Sequence, residues 1–530
     1  MNEGAGIVQR RIAIAAIGSV LAFALICARL ADLTLLRGTA TNAVVPIMHA
    51  PLARADMVDR NGELLAGNKA VKDVYLQPDA VRDVRTAARQ IAGATGVKED
   101  RVFRILKVKH KPGHYVLVAR HVDDRAEASL RSLRIPGIEF APASQRFYPQ
   151  GRAAEQVLGA VDSTGRPVTG LELGLDKRLR EGGTVQLALD MRIQYELRHE
   201  LESALQQFEA RAAGGIVLNV NTGEILGMAS LPDGVSGGGE TDSLNPTRNR
   251  MLRDVYELGS VFKIFSFTLA MQDHTVRLDQ TFPIGGGFRL GKYLIKDAER
   301  MPAFLEARDI LSQSSNAGTA QIALLSGPVR QEGFLRSMGL LEPVHTEDPE
   351  GAHPLFPKRW GDIQTATIGF GHGISVSPLS FVAAAASVVN GGRRIAPTFL
   401  KRDSNARGAQ VISPETSATM RELLRYVVTN GTGKLADVAG YDVGGKTGSA
   451  EKTVNGRYVA HKLRTSFCAV FPIDDPRYLV FVLLDEPHGA NASGVMALAG
   501  HTAAPLAGRV VARIAPMLGL PMVAQTGPSP

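Results

Sequence analysis

The first patterned segment of the chain is an uncharged apolar run at residues 12–28, with Arg10 and Arg11 before it and Arg29 after it. A helix needs about 17 to 25 such residues to span a bilayer, and residues 30–36 lengthen the run if the arginine side chain reaches the interface. The alternative is a cleaved signal peptide, whose apolar region usually has only about 7 to 15 residues. The pattern therefore predicts a transmembrane helix, with the short N-terminus in the cytoplasm.

Beyond residue 190, apolar periodicity predicts helices and antiparallel strands. A helix is expected near 193–208, and two β-prone runs at 216–220 and 225–228 are joined by a turn. The later apolar runs 467–471 and 478–484 are predicted as strands. Consecutive strands joined by short turns imply an antiparallel sheet. Helices at both ends of this region can cover the two faces of that sheet.

Three short polar motifs occur in a fixed order: Ser-Val-Phe-Lys at 260–263, Ser-Ser-Asn at 314–316 and Lys-Thr-Gly at 446–448. This is the S-x-x-K, S-x-N, K-T-G order of active-site serine acyl transferases that act on penicillin-like and D-Ala-D-Ala-like amides. Each motif alone is weak, because S-x-x-K recurs at 449–452 and S-x-N at 243–245. Neither duplicate lies in the required order, so the ordered set is what predicts acyl transfer.

The first motif is predicted to begin a buried helix, because Gly259 precedes it and an apolar stretch follows it. Residues three apart share one helix face, so the Lys263 amine is expected beside the Ser260 hydroxyl. A lysine desolvated by apolar neighbours can lose its charge and accept the proton of the serine. Taken alone, the motif fits an ordinary amphipathic helix with a polar edge equally well.

The third motif is predicted to lie on an edge strand. Residues 443–450 are followed by a short β-prone run, by Asn-Gly at 455–456 and by a second β-prone run. This is a strong hairpin pattern. Glycines in a strand permit close approach of a ligand backbone, so a substrate could pair with this edge.

The same segment also fits a rival motif. Residues 440–447 satisfy G-x-x-x-x-G-K-[ST], the phosphate-binding P-loop, and 478–485 resemble an apolar strand that ends in a metal-binding carboxylate. A P-loop must be followed at once by a helix, whereas a predicted hairpin follows here. A nucleotide hydrolase therefore remains a remote alternative. A second motif match also lacks its required context: G-x-S-x-G at 234–238, which would indicate a hydrolase nucleophile, lies in a glycine-rich run predicted to be a flexible loop.

The chain resembles the class B penicillin-binding proteins, and among them the division-specific FtsI type of peptidoglycan D,D-transpeptidase. Departures from the family pattern at Ala55, Leu258, Ile264 and Ser449 remove no functional group. Asn316 followed by Ala-Gly is similar to the division type, since elongation-type relatives usually carry an aspartate there. Besides the three motifs, the resemblance rests on Arg-Ala-Asp-Met-Val-Asp-Arg-Asn-Gly at 54–62, Arg-Phe-Tyr-Pro at 146–149, Gly-Leu-Glu at 170–172, Gly-Phe-Gly-His-Gly at 369–373 and Ser-Pro-Leu at 377–379.

The resemblance implies an α+β fold with three parts: an N-terminal transmembrane helix, a mixed α/β pedestal domain, and a penicillin-binding transpeptidase domain whose central antiparallel sheet is covered by helices on both faces. The expected boundaries are a cytoplasmic tail at 1–11, the transmembrane helix at 12–36, a non-catalytic pedestal of the dimerisation type at 37–190, the transpeptidase domain at 191–518 and a disordered tail at 519–530.

The resemblance also implies roles for the site residues. Ser260 would be the nucleophile and Lys263 its base, while Ser314 would pass the proton to the leaving amine. Asn316 can hold a substrate amide and Lys263 at once, and Lys446 would attract the substrate carboxylate. The residues expected to bind substrate on the strand are Thr447, Gly448 and Ser449, and the backbone N–H groups of Ser260 and Ser449 would form the oxyanion hole.

Composition is compatible with this interpretation. A chain of 530 residues suggests two to four domains, and a mean hydropathy near zero argues against a multi-span membrane protein. The formal net charge of +8 suits contact with anionic lipid or cell wall. Cys27 and Cys468 lie in unrelated predicted elements, so no disulfide is expected, and no metal-ligand spacing occurs. We therefore expect no cofactor and no metal.

The implied partners are stem peptides ending in D-Ala-D-Ala, lipid-linked nascent glycan, β-lactams, the membrane, an FtsW-type glycosyltransferase and other divisome proteins, with no nucleic acid. The implied location is the bacterial inner membrane, with a single pass and an extracytoplasmic catalytic domain. Three alternatives stay open: an elongation-type class B transpeptidase, a membrane-bound β-lactam sensor and, more remotely, the P-loop hydrolase. A sensor would need a substantial cytoplasmic output module, and only about eleven residues precede the predicted span.

Overall fold

The computed structural model describes residues 17, 20, 21, 23–27, 54–232, 248–454, 457–488 and 497–522. Within these ranges, no helix is both long and apolar enough to cross a membrane. The tail 1–11, most of the predicted span 12–36, the G-x-S-x-G match at 234–238 and residues 523–530 lie outside the described residues. The predicted transmembrane helix therefore stays a prediction.

Packing divides the chain into two compact units. The smaller unit contains Asn68–Gln145, and the larger one combines Arg54–Gly67 with the chain from Arg146 onward. The domain boundaries expected from the sequence describe family modules and stay predictions.

The smaller unit mixes strands and amphipathic helices around its own apolar core. Val74, Ile91 and Val102 have no exposed surface, and they pack with other aliphatic side chains of both element types. The strands pair in antiparallel fashion, with Leu76 opposite Val116. Its elements, including the strands that cross its boundaries, are strands Leu64–Leu76, Val116–Val122 and Ile138–Phe147, helices Val84–Thr95, Glu99–Lys107 and Asp124–Ser132, and the 3₁₀ turn Pro78–Ala80.

The helix Val84–Thr95 of this unit begins at an aspartate cap. Asp83 Oδ1 accepts hydrogen bonds from the backbone N–H groups of Arg85 and Thr86, each at 3.1 Å, and Oδ2 accepts one from the Thr86 hydroxyl at 2.6 Å. The side chain thereby satisfies donors that have no partner inside the helix.

The larger unit is organised around a five-stranded sheet in which every neighbouring pair is antiparallel. The spatial order is β3-β4-β5-β1-β2, so β3, which carries the Lys-Thr-Gly motif, lies at an edge. The predicted antiparallel sheet is confirmed. Both predicted strand pairs, β1 with β2 and β3 with β4, are antiparallel neighbours in it. The strands are β1 Ala212–Asn219, β2 Ile225–Leu231, β3 Gly444–Val454, β4 Arg457–Phe471 and β5 Tyr478–Asp485.

Both faces of this sheet are covered, as β5 illustrates. Leu479, Phe481 and Leu483 belong to one apolar cluster, while the intervening Val480 and Val482 belong to another. Successive side chains of a strand point to opposite faces, so a strand buried on both sides is apolar at every position. Phe381, Phe265 and Phe262 follow in a chain of edge-to-face and tilted ring contacts from Phe481, with centroid distances of 5.4, 5.5 and 5.0 Å. These contacts fix the start of the helix that begins at Lys263 against the sheet.

Six helices of this unit are used below or cover the sheet. Helix α1 confirms the helix predicted near 193–208, and it packs with α6 against the face that carries Val480. Helix α2 begins at the last residue of the first motif, and α3 begins at the last residue of the second. They are α1 Met191–Gln207, α2 Lys263–Gln272, α3 Asn316–Ser326, α4 Pro378–Val389, α5 Pro414–Asn430 and α6 Ala503–Ile514.

The remaining elements of the larger unit are short and connect these layers. The helices are Arg152–Leu158, Gly170–Gly174, Asp176–Arg180, Arg250–Arg253, Ala307–Ser312, Pro328–Ser337 and Asp362–Gly369, with 3₁₀ turns at Gly259–Phe262 and Lys434–Ala436. The strands are Asp56–Val58, Ala160–Val161, Pro167–Thr169, Thr184–Gln186, Thr281–Pro283, Phe288–Leu290, Tyr293–Ile295, Phe304–Glu306, Arg393–Arg394 and Ala409–Gln410.

Candidate active site

Ser260 lies in the 3₁₀ turn Gly259–Phe262, immediately before α2. The sequence predicted that Ser260 lies in the first turn of an α-helix, whereas in the structure this turn is a 3₁₀ turn that precedes the α-helix. Gly259 has a φ of 60°, and a Cβ built on it would lie 2.7 Å from the backbone oxygen of Ser449. A side chain here would meet both backbone strain and a clash, so glycine is what allows the serine turn to approach β3.

On strand β3, the residue that faces the serine turn is also a glycine, Gly448. A Cβ on Gly448 would lie 2.6 Å from the backbone oxygen of Leu258 and 2.6 Å from the Ser466 hydroxyl. The Lys-Thr-Gly strand and the serine turn therefore touch through backbone atoms. This contact brings the first and third motifs together although about 185 residues separate them in the chain.

Lys263 is completely buried and binds the second motif. Its amine donates to the backbone oxygen of Ser314, to Ser314 Oγ at 3.2 Å and to Asn316 Oδ1 at 2.8 Å. Among the described residues, Ser260 Oγ makes no hydrogen bond, so the expected contact between Ser260 and Lys263 is not closed in this structure. The Lys263 amine bonds to the second motif instead, through the Ser314 carbonyl, the Ser314 hydroxyl and Asn316 Oδ1.

Ser314 lies between the two lysines of the motifs. Its Oγ accepts hydrogen bonds from Lys263 Nζ at 3.2 Å and from Lys446 Nζ at 2.9 Å. Its φ is 63°, in the left-handed region, which costs a residue other than glycine about 1 to 3 kcal/mol. The surrounding contacts must hold the residue in this conformation, and the hydroxyl is consequently fixed between two amines.

Lys446 is also completely buried. Besides Ser314, its amine donates to the backbone oxygen of Thr447 at 3.1 Å and to Thr447 Oγ1 at 3.2 Å. Within the described residues it has no carboxylate partner, and its proposed contact with a substrate carboxylate stays a prediction. The Thr447 hydroxyl also bonds to Thr432 Oγ1 at 2.7 Å, and Ser449 Oγ accepts from the backbone N–H of Ala499 at 3.1 Å.

Burial sets the charge of this cluster. It lowers the pKa of Lys263 well below the ordinary value of a lysine, the neighbouring Lys446 lowers it further, and Asp297 acts in the opposite direction. Burial also lowers the pKa of Lys446 to about 7. Two ammonium groups that share one hydroxyl oxygen repel each other and titrate as a coupled pair. Because burial and Lys446 both lower its pKa, Lys263 is the amine of the pair better suited to accept a proton as a base.

A polar and aromatic group lies beside the site. Tyr458 OH donates to Glu257 Oε2 at 3.0 Å, and its ring stacks on His372 with centroids 5.3 Å apart. Glu257 Oε1 accepts from the backbone N–H of Gly373 at 3.1 Å. Burial, with the charge of Lys263 adding to it, lowers the pKa of His372 to about 4, so this ring is neutral and adds no further positive charge.

Comparison with known proteins decides the family. The model of the penicillin binding protein transpeptidase domain matches residues 213–512, and that of the penicillin-binding protein dimerisation domain matches residues 49–185. A protein of Caulobacter vibrioides named probable peptidoglycan D,D-transpeptidase FtsI is 38% identical, over 88% of this chain and 82% of its own length. The chain belongs to the penicillin-binding protein transpeptidase family.

More distant relatives of this penicillin-binding protein agree. Stage V sporulation protein D of Bacillus subtilis is 29% identical over 88% of this chain and 78% of its own length. The crystal structure of penicillin binding protein 3 of Mycobacterium tuberculosis complexed with aztreonam aligns with a TM-score of 0.68 at 23% identity, covering 89% of this chain and 98% of that one, which shows the shared fold. The transpeptidase domain of Burkholderia pseudomallei penicillin-binding protein 3 aligns with a TM-score of 0.57 at 31% identity, over 63% of this chain and 97% of that one.

The P-loop alternative for this penicillin-binding protein is wrong. After Lys446 and Thr447 the chain continues as strand β3 to Val454, and no helix begins there. The backbone N–H groups of a helix start, which a P-loop turns toward phosphate, are therefore missing from this position. Within the described ranges, no group of three or more His, Cys, Asp or Glu side chains could hold a metal ion. Cys27 and Cys468 are both free.

Two polar residues of the site were not predicted from the sequence. Asp297 binds the second motif from a distance of 18 residues along the chain, and Thr432 binds Thr447. Neither belongs to a motif with a fixed spacing, and both reach the site only through tertiary folding. A single acidic or hydroxyl side chain in a polar segment gives no signal that would have identified it.

Proposed function

We propose that this penicillin-binding protein is a class B peptidoglycan D,D-transpeptidase of the FtsI type, which cross-links stem peptides through a serine acyl-enzyme during septal cell-wall synthesis and is acylated by β-lactams. One observation carries the proposal. The two motif lysines, both completely buried, converge on the Ser314 hydroxyl beside the Ser260 turn. Such an arrangement supplies a neutral base, a proton relay and a cation within one small site.

The acylation step follows from these positions. Ser260 attacks the carbonyl between two D-alanines, and its proton passes to the neutral Lys263 amine. The open Ser260–Lys263 contact of the free protein is expected to close when substrate binds, since catalytic hydrogen bonds often tighten only in the complex. Ser314, already bonded to Lys263, is placed to pass a proton to the departing D-alanine nitrogen. Asn316 binds Lys263 through Oδ1, which leaves its amide nitrogen to bind substrate.

Strand β3 would hold the substrate. Lys446 attracts the terminal carboxylate, and the Thr447 and Ser449 hydroxyls can bond to it. Gly448 allows the substrate backbone to approach the edge of the sheet. The backbone N–H groups of Ser260 and Ser449 are proposed as the oxyanion hole. The contact between the serine turn and β3 supports that pairing, because it brings the two segments side by side.

The acyl-enzyme must then await an amine, and three glutamates that follow the second motif along the chain are bonded to groups outside that motif. Glu347 accepts from the Thr398 hydroxyl at 2.5 Å and from the backbone N–H of Phe399 at 2.8 Å. Glu350 pairs with Arg253 at 2.5 Å, and Glu342 pairs with Arg394 at 2.5 Å. A carboxylate with these partners is not free to position water against an ester, so hydrolysis of the acyl-enzyme should be slow.

We expect the penicilloyl adduct to persist. Intact-mass spectrometry after mixing with benzylpenicillin should show one adduct per chain that outlasts removal of excess drug, because these three glutamates are held by other partners and are not free to activate water at the ester. Loss of the adduct within seconds, with hydrolysed drug in molar excess over protein, would identify a β-lactamase and contradict the proposal. The transpeptidase assignment adds a second readout: an added acceptor amine should increase the rate at which a peptide-derived acyl group leaves the enzyme.

We expect acylation to decline as the pH rises through about 7, because burial lowers the pKa of Lys446 to about 7 and its amine is cationic only below that value. The second-order rate constant of penicillin acylation should be measured across this range. Lys446→Arg, whose guanidinium stays charged, should lack the decline whatever its absolute rate. The role assigned to Lys446 would be contradicted if the acylation rate constant of the unchanged protein did not vary with pH across this range. Saturable ATP binding that Lys446→Ala removes would contradict it as well.

Membrane attachment and partners belong to this proposal as well. The apolar run at 12–36 supports a single transmembrane helix with the catalytic domain outside the inner membrane. The substrates would be stem peptides on lipid-linked nascent glycan, and an FtsW-type glycosyltransferase with other divisome proteins would be the membrane partners. The 38% identity to a protein named FtsI favours the division role over an elongation role or a β-lactam sensor.

A further inference from the structure

Asp297 lies outside the three motifs, yet its carboxylate binds three consecutive residues, of which two belong to the second motif and the third follows it. Oδ1 accepts hydrogen bonds from the backbone N–H of Asn316 and from that of Ala317, the latter at 3.0 Å. Oδ2 accepts one from the Ser315 hydroxyl at 2.9 Å. One side chain therefore satisfies the first donors of helix α3 and anchors the residue that follows Ser314.

These bonds lie next to a strained part of the backbone. Ser315 extends the network into helix α3, because its Oγ also accepts from the backbone N–H of Gly318 at 3.0 Å. Ser314 is held at a φ of 63° just before this network, a conformation that persists only when neighbouring contacts determine it. The two side chains that accept hydrogen bonds from Lys263, those of Ser314 and Asn316, lie on either side of Ser315, whose hydroxyl donates to Asp297.

We propose that Asp297 is a positioning residue of the transpeptidase. Its carboxylate holds the turn that presents Ser314 Oγ and Asn316 Oδ1 to Lys263, and its negative charge acts on that lysine through the same turn. The inference rests on the proposed function, because it assigns Asp297 to the acylation step of Ser260.

Among the residues that the structure describes, three charged or titratable groups interact with Lys263. Lys446 shares the Ser314 hydroxyl with it, His372 lies close enough to be affected by its charge, and Asp297 is the anion. Burial and Lys446 lower the pKa of Lys263, whereas Asp297 raises it. Removing the anion should therefore let Lys263 lose its proton at lower pH.

Asp297→Asn separates charge from geometry. The amide oxygen can still accept from the backbone N–H groups of Asn316 and Ala317, and the amide nitrogen can bond to the Ser315 hydroxyl. With fluorescent penicillin and the full-length protein, the half-maximal point on the acid side of the acylation profile should move down by about one pH unit. Asp297→Ala removes the geometry as well and should slow acylation about a hundredfold at the optimum.

Asp83 is a matched control, because it caps its helix with two backbone bonds and one hydroxyl bond in the same pattern. Asp83→Asn and Asp83→Ala should change the acylation rate by less than about twofold and leave the pH profile in place. The melting temperature of each variant, measured alongside, reports the loss of a cap by itself.

Two results would overturn the inference. One is an acid limb in Asp297→Asn at the same pH as in the unchanged protein; the other is acylation by Asp297→Ala at a rate matching that of Asp83→Ala. Either would show that Asp297 only caps a helix. Failure of the unchanged protein to become labelled at Ser260 is a different result, since it refutes the proposed function itself.

Discussion

Replacing Ser260 by alanine is expected to abolish covalent labelling by fluorescent penicillin. The two other serine hydroxyls of the described motifs that could compete are already bonded, because that of Ser314 accepts from two lysines and that of Ser449 accepts from Ala499. Labelling is read as in-gel fluorescence against a melting temperature that shows the variant is folded. The Ser260 side chain makes no hydrogen bond to another described residue, so its removal should cost little stability.

Two serine controls accompany this variant. Ser449→Ala removes one hydrogen bond at the proposed substrate edge and should reduce labelling without ending it. Ser236→Ala, in the G-x-S-x-G match, should label like the unchanged protein. Full labelling of Ser260→Ala, or complete loss in Ser236→Ala, would assign the nucleophile elsewhere.

Replacing Lys263 by methionine is expected to lower the acylation rate constant about a thousandfold, within the usual range for losing a general base. That factor corresponds to about 4 kcal/mol of activation free energy. Methionine has a similar length and suits the completely buried position, so the fold should tolerate it better than alanine. Stopped-flow acylation measurements give the rate constant, and thermal unfolding shows whether the variant is folded.

Lys452 offers the matched control for that loss. It is a partly buried lysine on strand β3, which also carries Lys446, and it pairs with Asp485 at 2.8 Å and Glu486 at 2.6 Å. Lys452→Met should destabilise the hairpin but leave the acylation rate constant within about threefold. If both lysine variants slow acylation equally, Lys263 contributes packing and not proton transfer.

Much of the catalytic architecture was predictable because it rests on local signals. The hairpin β3–β4, helix α1 and the antiparallel sheet follow from apolar runs and short connections. The order of the three motifs predicted which residues to bring together, and the structure joins Lys263, Ser314, Asn316 and Lys446 by hydrogen bonds. The catalytic roles of these residues remain proposals that the variants above test.

The details that the sequence could not provide depend on tertiary contacts. The close approach of β3 to the 3₁₀ turn at Ser260 depends on two glycines, Gly259 and Gly448. The expected Ser260–Lys263 contact is open because the Lys263 amine bonds to the distant second motif. Asp297 joins the site from a segment without helical or strand periodicity of its own. The low pKa of Lys446 comes from complete burial, which no pattern of neighbouring residues reveals for a lysine.

Peptide mapping of the penicilloyl adduct tests the central claim most directly. Trypsin cleavage after Arg253 and Lys263 releases Ser260 in the peptide 254–263, whereas Ser314 lies in 309–330 and Ser449 in 447–452. Tandem mass spectrometry of the drug-treated, full-length protein should find the penicilloyl mass on 254–263 alone, at Ser260. An adduct on either of the other two peptides, with 254–263 unmodified, would contradict the assignment of Ser260 as the nucleophile.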